Sequence, residues 1–306
     1  MKKMAYKIIT YLTILAILFF LGKGLVDNWQ KVKDYDFSFN YLYLLISFFF
    51  LFLGMILFAL IWNSILRALD STKKLSSLKA IKIYIYSWFG KYLPGKVWFF
   101  FGRVHLGQKE GLNKKNLIIG TAYEIILSII SIFLFSIFFL SMSFGMKVPN
   151  FYIISILVIL IGLLLLHPKI LYYFSNLFLR KFKKIEIPIT SFLSYKKIIF
   201  IIFLFFIVFS INGIGFFLLV RSIVYLPFYD IIGLIGAFIF ASGLGMVAIF
   251  APSGIGVREG VLVMFLQFYF PVSIAILISL IARIWATIGE VIIFIIIYLY
   301  SKFKKI

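Results

Sequence analysis

Two short runs of this sequence combine helix-breaking residues with cations in a way that suits anion binding. The first, residues 87–103, reads Ser-Trp-Phe-Gly-Lys-Tyr-Leu-Pro-Gly-Lys-Val-Trp-Phe-Phe-Phe-Gly-Arg. The second, residues 251–260, reads Ala-Pro-Ser-Gly-Ile-Gly-Val-Arg-Glu-Gly. Proline removes a backbone donor and glycine permits unusual φ, so Pro94-Gly95 and Pro252 with Gly254 each break a helix. A half-helix restarting near Val257 offers free N–H groups to an anion, and Arg258 adds a planar fork that matches phosphate or carboxylate. In the first run Lys91, Lys96 and Arg103 are placed near phosphate depth, beside Trp88, Tyr92 and Trp98, whose rings suit the headgroup level. The candidate headgroup ligands are therefore Gly95, Lys96, Arg103, Gly254, Gly256, Arg258 and Glu259.

Three further charges interrupt long apolar stretches and are expected to gate a polar cavity. Thr121, Glu124, Ser128 and Ser131 share one helical face, and Ser279, Arg283, Thr287 and Glu290 share another. Arg283 and Glu290 are seven residues apart, about 10.5 Å along a helix axis, too far for direct contact. Each then needs a partner from another helix or from water. A purely structural alternative pairs Arg283 with Glu124. Charges within a membrane are costly and usually face the bundle interior.

Other chemistries are excluded by residue type or spacing. Gly90 to Lys96 fits G-x-x-x-x-G-K, but Val97 follows instead of Ser or Thr and no strand precedes it, so a nucleotide phosphate loop is not expected. Gly254, Gly256 and Gly260 do not complete the dinucleotide fingerprint. There is no cysteine, and His105 and His167 stand apart from each other and from acidic clusters. No metal centre, cofactor or catalytic constellation is expected, and the chain is read as not an enzyme.

These residues need a scaffold, and composition says which. Of 306 residues 64% are hydrophobic and 13% charged, against about 25% charged in a soluble domain. Apolar stretches at 8–26, 41–66, 117–141, 151–166, 197–220, 231–250, 261–270 and 272–300 are of the order of the 20 residues that cross a bilayer, apart from the short 261–270 piece. The expected fold is an all-α polytopic bundle, one integral membrane domain over 1–306. It has about eight spans, with re-entrant or broken helices near 87–103 and 251–260; six spans plus re-entrant segments is the alternative. The Gly-rich span with Gly233, Gly236, Gly243 and Gly245 is suited to close helix packing. Two Pro/Gly-interrupted segments in separate halves are the usual sequence pointer to a transporter's substrate site, and their shared Pro-(x)-Gly-x-(x)-Val core hints at internal duplication.

Sidedness accounts for the net charge of +21. Lys and Arg number three before the first span, eleven in 67–116, seven in 167–197 and three at the C-terminus. Residues 142–150 and 221–229 hold one each. This alternation places both termini in the cytoplasm and the chain in the plasma membrane. The loops are too short for a basic domain, so nucleic acid is not an expected partner; anionic lipid headgroups are.

Leu93-Pro94-Gly95, Arg103, Glu124, the run from Pro252 to Gly260 and Arg283 together resemble the lysylphosphatidylglycerol-synthase transmembrane family, also called flippase-like membrane proteins. The resemblance covers nearly the whole chain, and Gly-x-Gly-Val-Arg-Glu-Gly is its most specific element. It implies a helical bundle that moves an anionic or modified lipid, or a lipid-linked glycan, between leaflets. A lipid-holding partner subunit of a glycosyltransferase or lipid-modifying enzyme is the alternative. The sequence departs from the family pattern with Pro-Ser-Gly where a Gly-Gly pair is common, and with Tyr123-Glu124 where Glu-Arg is often found. No soluble aminoacyl-transfer domain follows Ile306, so lipid aminoacylation by this chain alone is not expected.

Overall fold

The computed structural model describes residues 29–70, 75–93, 97–144, 151–170, 193–248 and 250–304, with isolated positions in 19–27 and 172–173. The expected first span at 8–26 lies almost wholly outside them. The described residues form ten α-helices and no strand. They are α1 (Trp29–Lys33), α2 (Tyr41–Leu69), α3 (Ser77–Trp88), α4 (Trp98–Lys109), α5 (Lys114–Phe144), α6 (Phe151–Leu165), α7 (Tyr195–Arg221), α8 (Ile231–Val247), α9 (Val257–Leu266) and α10 (Val272–Phe303). A helix satisfies its backbone within one segment, as a hydrocarbon environment demands. Local signals set the starts: Asn40 Oδ1 accepts from the N–H groups of Leu42 and Tyr43 at 3.1 and 3.2 Å, and Ser76 Oγ from that of Lys79 at 3.3 Å. Pro271 directly precedes α10.

Five stretches are long and apolar enough to cross a membrane: α2, α5, α7, Phe228–Val247 and α10. Their contacts fix direction. The N–H groups of Ser38 and Asn40 donate to the carbonyls of Ile223 and Ser222, while Phe58 packs on Phe205 and Phe209, so α2 and α7 run antiparallel. Phe48 meets Trp285 and Gly289 abuts Leu51, so α2 and α10 run parallel. The starts of α2, α8 and α10 and the ends of α5 and α7 thus share a first face. The ends of α2 and α10 and the starts of α5 and α7 share a second. Exposed Phe200, Phe203, Ile295 and Ile296 form outward apolar surface suited to lipid.

Between these helices lie two hairpins. The α3–α4 hairpin enters from the second face: Tyr86 Oη and Ser301 Oγ are 3.1 Å apart, the Phe89 and Phe294 rings 5.1 Å, and Tyr92 Oη donates to Glu290 at 2.7 Å. A 3-10 turn, Phe89–Tyr92, ends this inward arm. The α4 arm returns beside α5, and Lys79 meets Glu110 at 2.7 Å across the mouth. From Glu290, α10 continues about 27 Å back to Val272, at 1.5 Å per residue. This hairpin therefore stops part-way.

The α8–α9 hairpin enters from the first face. Gly233 lies against Tyr269, Phe240 against Phe265, and Gly245 against Gly254 and Arg258. Glycines let α8 lie close on α5, where Gly236 abuts Leu140 and Gly243 abuts Ile132. From Ile132, α5 runs on for about 27 Å to Lys114, so α8, which ends four residues past Gly243, also stops part-way. Eight crossings are not found among the described residues. The 261–270 piece is the returning arm of a hairpin, because α9 is too short to cross and lies along α8.

The layout is an inverted duplication. Helix α2, hairpin α3–α4 and helix α5 run from the first face to the second and back. Helix α7, hairpin α8–α9 and helix α10 repeat that plan upside down. The two hairpin tips meet, Phe89–Tyr92 packing against the 3-10 turn Pro252–Gly254.

Candidate functional site

Where the tips meet, three basic residues face two carboxylates among the described residues. Lys91 Nζ lies 2.5 Å from Glu290 Oε1, and Tyr92 Oη donates to Glu290 Oε2 at 2.7 Å. Arg283, about two helical turns away on α10, turns to the other hairpin. Its Nη1 donates to the Ser253 carbonyl at 3.0 Å and lies 3.7 Å from Glu259 Oε1.

The second tip is built for this contact. Ser253 has φ 52° and Gly254 φ 71°, which turns the Ser253 carbonyl to Arg283. A Cβ on Gly254 would fall 2.7 Å from the Gly245 backbone, so only glycine fits. Gly256, at φ 86°, donates its N–H to Glu259 Oε2 at 2.6 Å, capping α9 from within. Ser279 Oγ donates to the Glu259 carbonyl at 3.0 Å, tying the same turn to α10. The polar stripe of α10 thus holds the second tip through Ser279 and Arg283, and the first tip through Glu290.

Arg258 differs from the other two cations. Its guanidinium lies 4.9 Å over the Phe238 ring and within electrostatic range of Glu259, Arg283 and Glu290. Among the described residues it forms no hydrogen bond or ion pair, although it is half-buried. A cation over an aromatic face retains all five donors for another ligand.

A separate cluster anchors the first hairpin. Arg103 is fully buried; its Nη1 meets Glu124 Oε2 at 2.8 Å, and Tyr84 Oη donates to Glu124 Oε1 at 2.9 Å. The guanidinium lies 4.0 Å over the Tyr84 ring. Trp62 Nε1 donates to Thr121 Oγ1 at 3.1 Å, one turn from Glu124. This cluster fastens α4 to α5.

The charges that break the apolar pattern therefore fall into two groups. Arg258, Glu259, Gly254, Gly256, Arg283 and Glu290 converge at the tips, and Gly95 and Lys96 lie outside the described residues. Arg103 and Glu124 stand apart from them. Arg103 is not placed to reach a headgroup, because Glu124, Tyr84 and Trp62 enclose it. The alternative pairing of Arg283 with Glu124 is not formed, since Glu259 and Ser253 take Arg283 and Arg103 takes Glu124. Arg283 and Glu290 do each find a partner from another element. Tyr84 carries no sequence signal: a tyrosine on an amphipathic helix is usual.

A family model described as the lysylphosphatidylglycerol synthase TM region matches residues 6–293. The chain belongs to this family. No curated protein matches the chain closely. Within this lysylphosphatidylglycerol synthase TM region, the motif residues 252–260 form the tip of one re-entrant hairpin and Arg283 is its clamp. The Pro/Gly element at 94–95 lies outside the described residues.

Proposed function

We propose that this protein is a flippase that moves an anionic lipid, or a lipid-linked glycan, between leaflets of the plasma membrane. The observation that carries the reading is the meeting of two re-entrant tips, entering from opposite faces, at a largely buried cluster of five described charges. Broken segments at mid-membrane are the places where transporters expose backbone and charge to substrate. Arg258 takes the headgroup phosphate, and Arg283 with Glu259 clamps the tip that must move when the headgroup passes. The second face, which carries the basic loops, is cytoplasmic. The role requires no covalent step, and the reading is of a transporter, not an enzyme.

The test is translocation in proteoliposomes of the purified chain containing a fluorescent phosphatidylglycerol, read by dithionite quenching. Wild type exposes the inner-leaflet probe. Arg258→Ala and Arg283→Ala slow it by about tenfold or more, as loss of an interaction worth about 1.4 kcal/mol would. Unchanged rates at equal reconstitution overturn the site assignment. A wild-type chain that retains lipid but never moves it would instead be a lipid-holding partner of a separate enzyme.

A further inference from the structure

We infer that the cluster between the hairpin tips selects a headgroup with one net negative charge, a phosphodiester rather than a phosphomonoester or diphosphate. This inference rests on the translocation reading above and adds to it a charge rule. Among the described residues the cluster contains Lys91, Arg258 and Arg283 against Glu259 and Glu290, one cation in excess. Four of the five are committed. Lys91 is paired with Glu290, which also accepts from Tyr92, and Arg283 is held by Glu259 and the Ser253 carbonyl. Glu259 is in turn fixed by its bond from the Gly256 N–H. Arg258 alone has no hydrogen bond or ion pair.

An uncompensated charge is expensive where the surroundings are apolar, and a ring face compensates it only in part. A monoanion on Arg258 brings the described charges of the loaded cluster to neutrality. A dianion leaves those charges at minus one, with the second negative charge added where Glu259 and Glu290 already lie within electrostatic range of Arg258. A zwitterion leaves the excess cation in place. The guanidinium fork also matches the two non-bridging oxygens of a phosphodiester. Two lipid types share that chemistry: glycerophospholipids with an uncharged alcohol headgroup, and polyprenyl phosphoryl sugars.

The experiment compares three fluorescent lipids in the proteoliposome assay: phosphatidylglycerol, phosphatidylcholine and phosphatidic acid. Wild type moves phosphatidylglycerol about tenfold faster than either of the others. Arg258→Gln, which neutralises the excess, lowers the phosphatidylglycerol-to-phosphatidylcholine ratio about tenfold. Arg258→Lys, which keeps the charge, preserves the order of preference even if rates fall. Equal rates for the three lipids in wild type, or an unchanged ratio in Arg258→Gln, overturn the charge rule. If wild type moves no lipid at all, the translocation reading fails. The charge rule is then decided by native mass spectrometry of the purified protein in mixed vesicles: preferential retention of phosphatidylglycerol upholds it and equal retention overturns it. Competition by a polyprenyl phosphoryl sugar, against added unlabelled phosphatidylglycerol, tells which of the two lipid types the site prefers.

Discussion

Arg103 is 0% exposed, and its Nη2 finds no acceptor among the described residues. A guanidinium in that position is tolerable only because Glu124 lies at 2.8 Å and three aromatic rings surround it. Removing one member of a buried pair strands the other, at a typical cost of about 3–5 kcal/mol. Arg103→Ala is therefore expected to lose the monodisperse protein at a clearly lower temperature than wild type in detergent. Arg103→Lys does not restore it, because an ammonium lacks the planar fork. Arg103→Met with Glu124→Leu recovers most of the loss, since removing both charges leaves nothing stranded. Heating followed by size-exclusion chromatography reads all three. Arg258→Ala, by contrast, leaves thermal stability near wild type, because no carboxylate depends on that side chain. The contrast separates a lock from the proposed ligand site, two roles that look alike in sequence because both place an arginine in an apolar run.

The same separation can be made at the level of the hairpin with two glycines six residues apart. Gly254 has φ 71°, and an added Cβ meets the Gly245 backbone at 2.7 Å. Gly254→Ala incurs about 1–2 kcal/mol from backbone conformation alone, and the clash pushes the tip away from α8. Gly260 lies within α9 with open space where a Cβ would go. Gly260→Ala should stabilise α9 by about 0.5–1 kcal/mol. Thermal stability falls in the first variant and rises or holds in the second, and translocation follows the first only. The position of the second break, at Pro252–Gly254, was legible in the sequence because Pro and Gly act locally, whereas the break expected at Pro94-Gly95 lies outside the described residues. The depth of each hairpin was not. Residues 261–270 look like a short span because composition reports apolarity, whereas direction depends on Phe240 meeting Phe265 and Gly233 meeting Tyr269. The pairing of charges was hidden for the same reason: Lys91 reaches Glu290 across 199 positions. The polar stripe on α10 showed that partners were needed, but their identity is set by how the hairpins dock.

Across the whole molecule, the inverted duplication is what would give the proposed site access to both sides. Each hairpin begins and ends on one face, so neither adds a net crossing, and together they bring a broken backbone to the centre from opposite directions. If both entered from the same face, one would have to cross the layer formed by the other, and the contact of Tyr92 with α10 and of Ser253 with Arg283 would lie at different depths. The absence of cysteine makes this arrangement directly testable, since any introduced thiol is unique. Lys109, at the mouth of the α3–α4 hairpin, and Tyr229, just before α8, are both exposed. In intact cells, a membrane-impermeant maleimide is expected to label Tyr229→Cys at once and Lys109→Cys only after permeabilisation, because the positive-inside rule assigns the basic second face to the cytoplasm in the proposed orientation. The reverse pattern would keep the opposed hairpins and invert the chain in the membrane. Labelling of both thiols from one side would mean that the two hairpins share a face, and the central site would then lose its access to the second leaflet.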